Sequence, residues 1–223
     1  NVGRPELIVH GIEGARDLLR LAGQAAAVVV GPGLGRDGWA VEGWRALRDC
    51  PLPLVVDADA LRLLGPRSLE GRDAVITPHP GEAAGLLECP AAQVNLDRLG
   101  TARILSERFG CAVVLKGAGT VLADGETMTV CQRGSAALAT AGSGDVLAGV
   151  LGAFLGMGMA RFAAMEVAVC VHAEAGEVEA RRHGEWGMAA GELCDSIRAV
   201  VNGHTAAGGW RLAGADAPEG GDD

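Results

Sequence analysis

The chain has 223 residues and a formal net charge of −9, with 49% hydrophobic and 21% charged residues. This length and balance are typical of one folded domain and exclude an intrinsically disordered protein. The acidic balance argues against a nucleic-acid-binding protein, because phosphates in number need a basic surface. A small anionic ligand stays compatible, since backbone amides and one or two lysines can hold it.

No segment reads as a membrane span or a targeting signal. The longest nearly uncharged run, 146–160, is too short and too rich in glycine to cross a bilayer. The widely spaced cysteines, with no metal-binding spacing, predict reduced, mostly buried thiols in a cytoplasmic protein, and we assign no residue as a metal ligand. Residues 206–223 are rich in glycine, alanine and aspartate and are predicted to form a disordered tail, which leaves 1–205 as a single domain.

Four continuously apolar runs predict strands that are buried on both faces, as in a parallel sheet. These runs cover 25–31, 53–58, 73–77 and 111–117. The helix-like segments between them predict βαβ units with helices on both faces, and cover 38–49, 58–64, 80–88 and 95–110. Beyond them, 119–131 predicts a hairpin around Asp124-Gly125, and most of 143–201 is predicted to be helical.

The residues after each strand are informative, because ligands of open α/β sheets bind beyond the carboxyl ends of the strands. GPGLG at 31–35 allows the backbone to approach a ligand closely, although an ordinary glycine turn fits equally well. In DAD at 57–59, we expect Asp57 to face a site and Asp59 to cap the following helix.

Two further strand ends carry candidate site residues. In TPHPGE (77–82), prolines on both sides hold His79 extended, which favours a positioned side chain over a histidine that satisfies a backbone carbonyl. In KGAGT (116–120), Lys116 ends a strand beside exposed amides, which suits a phosphate; the alternative is a solvated lysine before a hairpin.

The segment ALATAGSGDVLAG (137–149) predicts an anion hole formed by Gly142, Ser143 and Gly144, at the start of a helix that begins at Gly144 or Asp145. Asp145 is either a favourable charge in the first turn or a general base that takes a proton from a hydroxyl attacking phosphorus. His172, further along, is predicted to be a packed residue and not a catalyst.

With these motifs in this order, the sequence resembles the ribokinase-like superfamily and, within it, the ADP-dependent NAD(P)H-hydrate dehydratases. The resemblance runs over about 28–201 and is carried by GPGLG, VVDADAL, TPHPGE, VVLKGAGT and ATAGSGDVLAG. It implies an α/β fold, the ribokinase-like three-layer sandwich with a mostly parallel central sheet and helices on both faces.

The resemblance also implies a reaction. ADP, or ATP, would phosphorylate the ring hydroxyl of hydrated NADH or NADPH, and loss of phosphate would restore the reduced nicotinamide. Gly33, His79 and Asp145 would contact the hydrated dinucleotide, with Asp145 as the catalytic base. Mg²⁺ would be carried by the nucleotide phosphates. The residues implied to contact the adenine nucleotide are Lys116, Gly117, Ala118, Gly119, Thr120 and Gly144.

Partners follow from the same resemblance. The family is often fused to an NAD(P)H-hydrate epimerase, so we expect one, fused or separate, and we expect a homo-oligomer with no nucleic-acid or membrane partner. The family's domain begins with a glycine-rich segment, a helix and a strand ahead of the residues that open this chain, so we expect a truncated amino end. Two alternatives stay open: a small-molecule kinase of the same superfamily acting on a vitamin-precursor alcohol, and a nucleotide-binding module without catalysis.

Overall fold

The computed structural model describes residues 7–206. In that part of the chain, six strands form one sheet in sequential order: β1 (Val28–Val30), β2 (Leu54–Val56), β3 (Ala74–Ile76), β4 (Ala112–Leu115), β5 (Thr120–Asp124) and β6 (Thr127–Cys131). The first four strands run parallel, with Val55 of β2 paired to Val29 and Val75 of its neighbours. β5 and β6 are antiparallel and form the predicted hairpin.

The helices between and after the strands are α1 (Ala15–Ala22), α2 (Gly38–Arg48), α3 (Pro80–Leu87), α4 (Ala91–Leu96), α5 (Arg98–Phe109), α6 (Ser143–Gly156), α7 (Arg161–His183) and α8 (Leu193–Ala206). Short 3₁₀ helices cover Ala58–Leu63, Ala136–Leu138 and Ala190–Glu192. None of the helices in the described range is long and apolar enough to cross a membrane.

Strands β2 to β6 contribute to two hydrophobic cores, because successive side chains point to opposite faces of the sheet. β1 contributes Val28 and Val30 to one core, and its Val29 is exposed. In β2, Leu54 and Val56 pack into the core that contains Trp44 of α2, whereas Val55 packs into the core that contains Leu151 of α6 and Met165 of α7. The sheet is therefore a middle layer between two helical layers. The predicted α/β three-layer arrangement, with a mostly parallel central sheet and helices on both faces, is confirmed.

Two predicted helices differ from the structure. The segment predicted at 58–64 is a 3₁₀ helix, Ala58–Leu63. The segment predicted at 95–110 is divided at Asp97, whose non-helical backbone ends α4 and whose carboxylate accepts a hydrogen bond from the amide of Gly100 at 2.8 Å. Aspartate favours helix N-caps because its side chain satisfies a free amide, so it starts a new helix here.

Other expectations are refined or fall outside the described range. The long helical stretch predicted over 143–201 contains loops after Gly156 and after His183, and α1 had no counterpart among the predictions. All six cysteines are free; Cys50, Cys111 and Cys131 are buried, so only half of them match the prediction of burial. The predicted tail, 206–223, lies outside the described residues apart from Ala206, as do 1–6 at the amino end.

Candidate active site

A cleft of about 800 Å³ lies beyond the carboxyl ends of β2, β3 and β4. Four segments that follow strands supply most of its lining: 57–58, 79–82 without Gly81, 116–120, and 132–145 without Ala137. The structure thus brings together Asp57, His79, all of Lys116–Thr120 and Gly142–Asp145. This agrees with the rule that such sheets bind ligands at this edge.

Gly33 is the one predicted site residue that does not line the cleft; it lies in the exposed loop after β1. This loop is held against β2 by Gly31, where an added Cβ would lie 1.6 Å from the carbonyl oxygen of Asp57. Asp59 accepts a hydrogen bond from the amide of Gly35 at 3.1 Å. The prediction that Asp59 caps a helix is wrong: Asp57 precedes the 3₁₀ helix, and Asp59 lies within it, bonded to the glycine loop.

Lys116 is the only lysine in the chain and lies at the centre of a charged cluster. Its Nζ is 2.7 Å from Oδ1 of Asp57 and 3.8 Å from Oε2 of Glu82. Asp57 is 1% exposed, and its Oδ2 has no hydrogen-bond partner among the described residues. An added Cβ at Gly144 would lie 3.0 Å from Nζ, so the ammonium group reaches the start of α6.

His79 is the N-cap of α3. Its Nδ1 accepts hydrogen bonds from the amides of Gly81, at 3.0 Å, and Glu82, at 3.2 Å, while the Glu82 carboxylate accepts from the His79 amide at 2.7 Å. These reciprocal bonds form a capping box. The ring therefore satisfies amides and not a backbone carbonyl, and the side chain stays exposed at the cleft, with Nε2 3.6 Å from Oε1 of Glu82.

The start of α6 has the features of an anion-binding site. Gly142 precedes it with φ of +86°, and no side chain within the described residues caps the helix. The Ser143 amide donates to the carbonyl oxygen of Thr140 at 3.3 Å, whereas the amides of Gly144 and Asp145 have no hydrogen-bond partner among the described residues. These two amides are available, and the helix dipole favours negative charge there. α6 begins at Ser143, one residue before the predicted start, and Asp145 is exposed in its first turn, at the cleft.

His172 of α7 is hydrogen-bonded to Ser143, the first residue of α6. Its Nε2 lies 2.9 Å from the carbonyl oxygen and 3.1 Å from Oγ of Ser143, and both residues are buried. Burial, reinforced by the charge of Lys116, lowers the pKa of His172 to about 4, against the weaker effect of the Ser143 carbonyl. A neutral ring is consistent with the prediction that His172 is packed and not catalytic.

The loop after β6 also lines the cleft, and none of its residues was among the predicted site residues. Arg133 donates to Glu174 and to Glu177 of α7, each at 2.7 Å, and the Gly134 amide donates to Glu177 at 2.9 Å. Arg133 lowers the pKa of Glu177. Two acids three residues apart share one helix face, which is the signal in the sequence that could have indicated a basic partner.

A model of the NAD(P)H-hydrate dehydratase family matches residues 1–199 of the chain. The chain belongs to this family. The resemblance drawn from the motifs is thereby confirmed. Among curated relatives, the bifunctional NAD(P)H-hydrate repair enzyme Nnr of Escherichia coli is 40% identical over 200 residues, which cover 89% of this chain and 39% of that protein. The chain thus spans about two fifths of the length of this bifunctional relative.

Other relatives match over more of their own length. The ADP-dependent (S)-NAD(P)H-hydrate dehydratase of Neisseria meningitidis is 37% identical over 210 residues, covering 90% of this chain and 70% of that protein. Among solved structures, an ADP/ATP-dependent NAD(P)H-hydrate dehydratase from Bacillus subtilis, co-crystallised with ATP/Mg²⁺ and soaked with CoA, is 26% identical with a TM-score of 0.74, over 82% of this chain and 70% of that chain.

Proposed function

We propose that the chain catalyses the ADP-dependent dehydration of hydrated NADH or NADPH. The observation that carries the proposal is the approach of the Lys116 ammonium to the uncapped start of α6, with Asp145 exposed in the first turn. A phosphoryl group needs positive charge and amide donors next to a base, and these groups border the same cleft. The names of the relatives from Neisseria meningitidis and Bacillus subtilis support this reaction.

In the proposed chemistry, Asp145 accepts the proton of the ring hydroxyl as its oxygen attacks the terminal phosphorus of the nucleotide. The bond from that phosphorus to the bridging oxygen breaks, and AMP leaves when the nucleotide is ADP, or ADP when it is ATP. The start of α6 stabilises the negative charge on the transferred group. The ring nitrogen then supplies the electron pair that expels phosphate from the ring carbon. Loss of a proton from the neighbouring carbon restores the double bond of the reduced nicotinamide.

The substrate and nucleotide contacts follow the same arrangement. His79 and Asp145 would contact the hydrated dinucleotide, and the nucleotide segment is Lys116–Thr120 together with Gly144. Gly33 stays a predicted substrate contact, although it does not line the cleft. The relative from Neisseria meningitidis, named ADP-dependent, supports an adenine nucleotide as co-substrate, and the relative from Bacillus subtilis, described as ADP/ATP-dependent, supports either ADP or ATP.

Mg²⁺ fits beside this nucleotide. The unpartnered Oδ2 of Asp57 and the carboxylate of Glu82 border the cleft, and carboxylate oxygens are ligands that Mg²⁺ prefers. Over residues 7–206, no group of three or more acidic, histidine or cysteine side chains forms a metal site, so the phosphates would supply much of the coordination. The ion would neutralise charge on the phosphates.

The test incubates the chain with hydrated NADH and either ADP or ATP and follows the absorbance of the reduced nicotinamide. We expect recovery of this absorbance together with release of inorganic phosphate in equal amount. A phosphorylated product without absorbance recovery would instead identify a small-molecule kinase. Nucleotide binding with neither product would identify a module without catalysis.

Three expectations about the surroundings of the enzyme accompany the proposal. An epimerase that supplies the hydrate, fused or separate, is supported by the word "bifunctional" in the names of the relatives. A cytoplasmic location is consistent with six free cysteines. Assembly as a homo-oligomer stays a prediction that sedimentation or light scattering would test.

A further inference from the structure

Arg98, at the start of α5, binds the backbone of the segment that follows β4. Its Nη2 donates hydrogen bonds to the carbonyl oxygens of Leu115 at 3.0 Å, Lys116 at 3.1 Å and Gly119 at 3.2 Å. Arg98 is not one of the residues that line the cleft. One side chain therefore binds the last carbonyl of β4 and two carbonyls of the cleft-lining segment 116–120 without bordering the cleft itself.

These bonds determine where the segment directs its amides. A trans peptide unit points its C=O and its N–H in opposite directions, and none of the described peptide bonds is cis. Because the Lys116 carbonyl points to Arg98, the amide N–H of Gly117 points away from Arg98. Gly117 lines the cleft, so its amide is available to a phosphate there.

The positive charge of Arg98 also favours a phosphate at this segment. Burial lowers the pKa of its guanidinium, but an arginine side chain in a protein keeps its proton. The ammonium of Lys116 is shared by two carboxylates, whereas no ion pair with a carboxylate involves Arg98 within residues 7–206. Its positive charge therefore adds to the potential that a phosphate meets at this segment.

We infer that Arg98 is a positioning residue, which holds the segment Lys116–Thr120 in the conformation that binds nucleotide phosphates. It raises the affinity for the adenine nucleotide through the backbone, without touching the nucleotide. The inference rests on the proposed function, because it takes this segment as the nucleotide site. A purely structural role would change stability but leave the nucleotide affinity of the folded protein unchanged.

The experiment compares Arg98→Met with Arg103→Met, which makes the same change at an exposed arginine of the same helix. Calorimetry gives the Kd for ADP and ATP, kinetics gives separate KM values for nucleotide and hydrate, and circular dichroism confirms folding. We expect Arg98→Met to raise the Kd and KM for the nucleotide about tenfold, as the loss of charge-assisted bonds predicts, and to leave the KM for the hydrate unchanged. Arg103→Met should match the parent protein in every measurement.

Arg98→Lys is the second test variant and replaces Arg98→Met if that protein does not fold. It keeps the charge, but its nitrogen lies closer to the backbone and cannot reach all three carbonyls, so we expect a several-fold higher Kd for ADP. Parental nucleotide affinity in either folded variant would overturn the inference. Equal increases in both KM values would overturn it too, because they would indicate general disruption. If the parent protein binds no adenine nucleotide, the proposed function itself fails.

Discussion

The side chains of Lys116 and Asp57, which are 59 residues apart in the chain, meet at 2.7 Å at the carboxyl edge of the sheet. Asp57 follows β2 and is 1% exposed, and Lys116 follows β4. β3 lies between these two strands, so the ion pair spans the strand ends and connects them to the start of α6.

Replacing Lys116 with Met should destabilise the protein by about 3 kcal/mol, because it leaves the buried carboxylate of Asp57 without its partner. Urea unfolding followed by circular dichroism measures this change. The double variant Asp57→Asn/Lys116→Met removes both charges and should recover much of the loss. Equal stability of Lys116→Met and the parent protein would show that this ion pair does not matter for folding.

Replacing Asp145 with Asn should lower kcat at least about 100-fold, since it removes the proposed general base. The side chain is exposed, so we expect an unchanged Tm and a Kd for ADP within about twofold of the parent value. Asp195→Asn is the matched control, because Asp195 is also an exposed acid in the first turn of a helix. Turnover that survives in Asp145→Asn would remove Asp145 from the catalytic role.

His172 should make folding stability depend on pH. Burial lowers its pKa from 6.5 to about 4, so the unfolded chain binds the proton more tightly. The contribution is complete above about pH 6.5 and is lost as the pH falls toward 4, with a slope of up to about 1.4 kcal/mol per pH unit.

His172→Gln keeps a donor but cannot titrate, so it should reduce that slope. Urea unfolding at several pH values measures it, and the exposed His10 provides the control variant His10→Gln. A slope in His172→Gln that equals the slope of the parent protein would contradict the assignment.

The glycine loop after β1 should tolerate a methyl group at one glycine and not at another. At Gly31, with φ of +128°, an added Cβ would lie 1.6 Å from the Asp57 carbonyl oxygen, so Gly31→Ala should cost more than about 3 kcal/mol or prevent folding. At Gly33, with φ of +67°, the space is open, and Gly33→Ala should cost only about 1 kcal/mol. Thermal unfolding of the two variants gives the comparison, and similar Tm values would contradict it.

Much of the fold could be predicted because it depends on residues that are close together in the sequence. Continuous apolar runs such as 53–58 are buried on both faces only within a parallel sheet that helices cover, and the structure places their alternate residues in two cores. The turn at Asp124-Gly125 and the start of α3 after His79 depend on residues within a few positions of each other. Glycine, proline and capping residues determine such features through their own backbone preferences.

Other features depended on which distant segments meet. Aspartate is a common helix-capping residue, which favoured that role for Asp59. The packing of Gly31 against the Asp57 carbonyl instead places the Gly35 amide within hydrogen-bonding distance of the Asp59 carboxylate. Arg98 resembles an exposed arginine at a helix start, yet it is bound to three carbonyls 17 to 21 residues away. By itself the sequence therefore determined the fold class and the motif residues, since these follow from local burial and backbone preference. Only the tertiary structure decided the partners of Asp59, Arg98 and Lys116, because the order of the strands sets the distances between segments that the chain keeps apart.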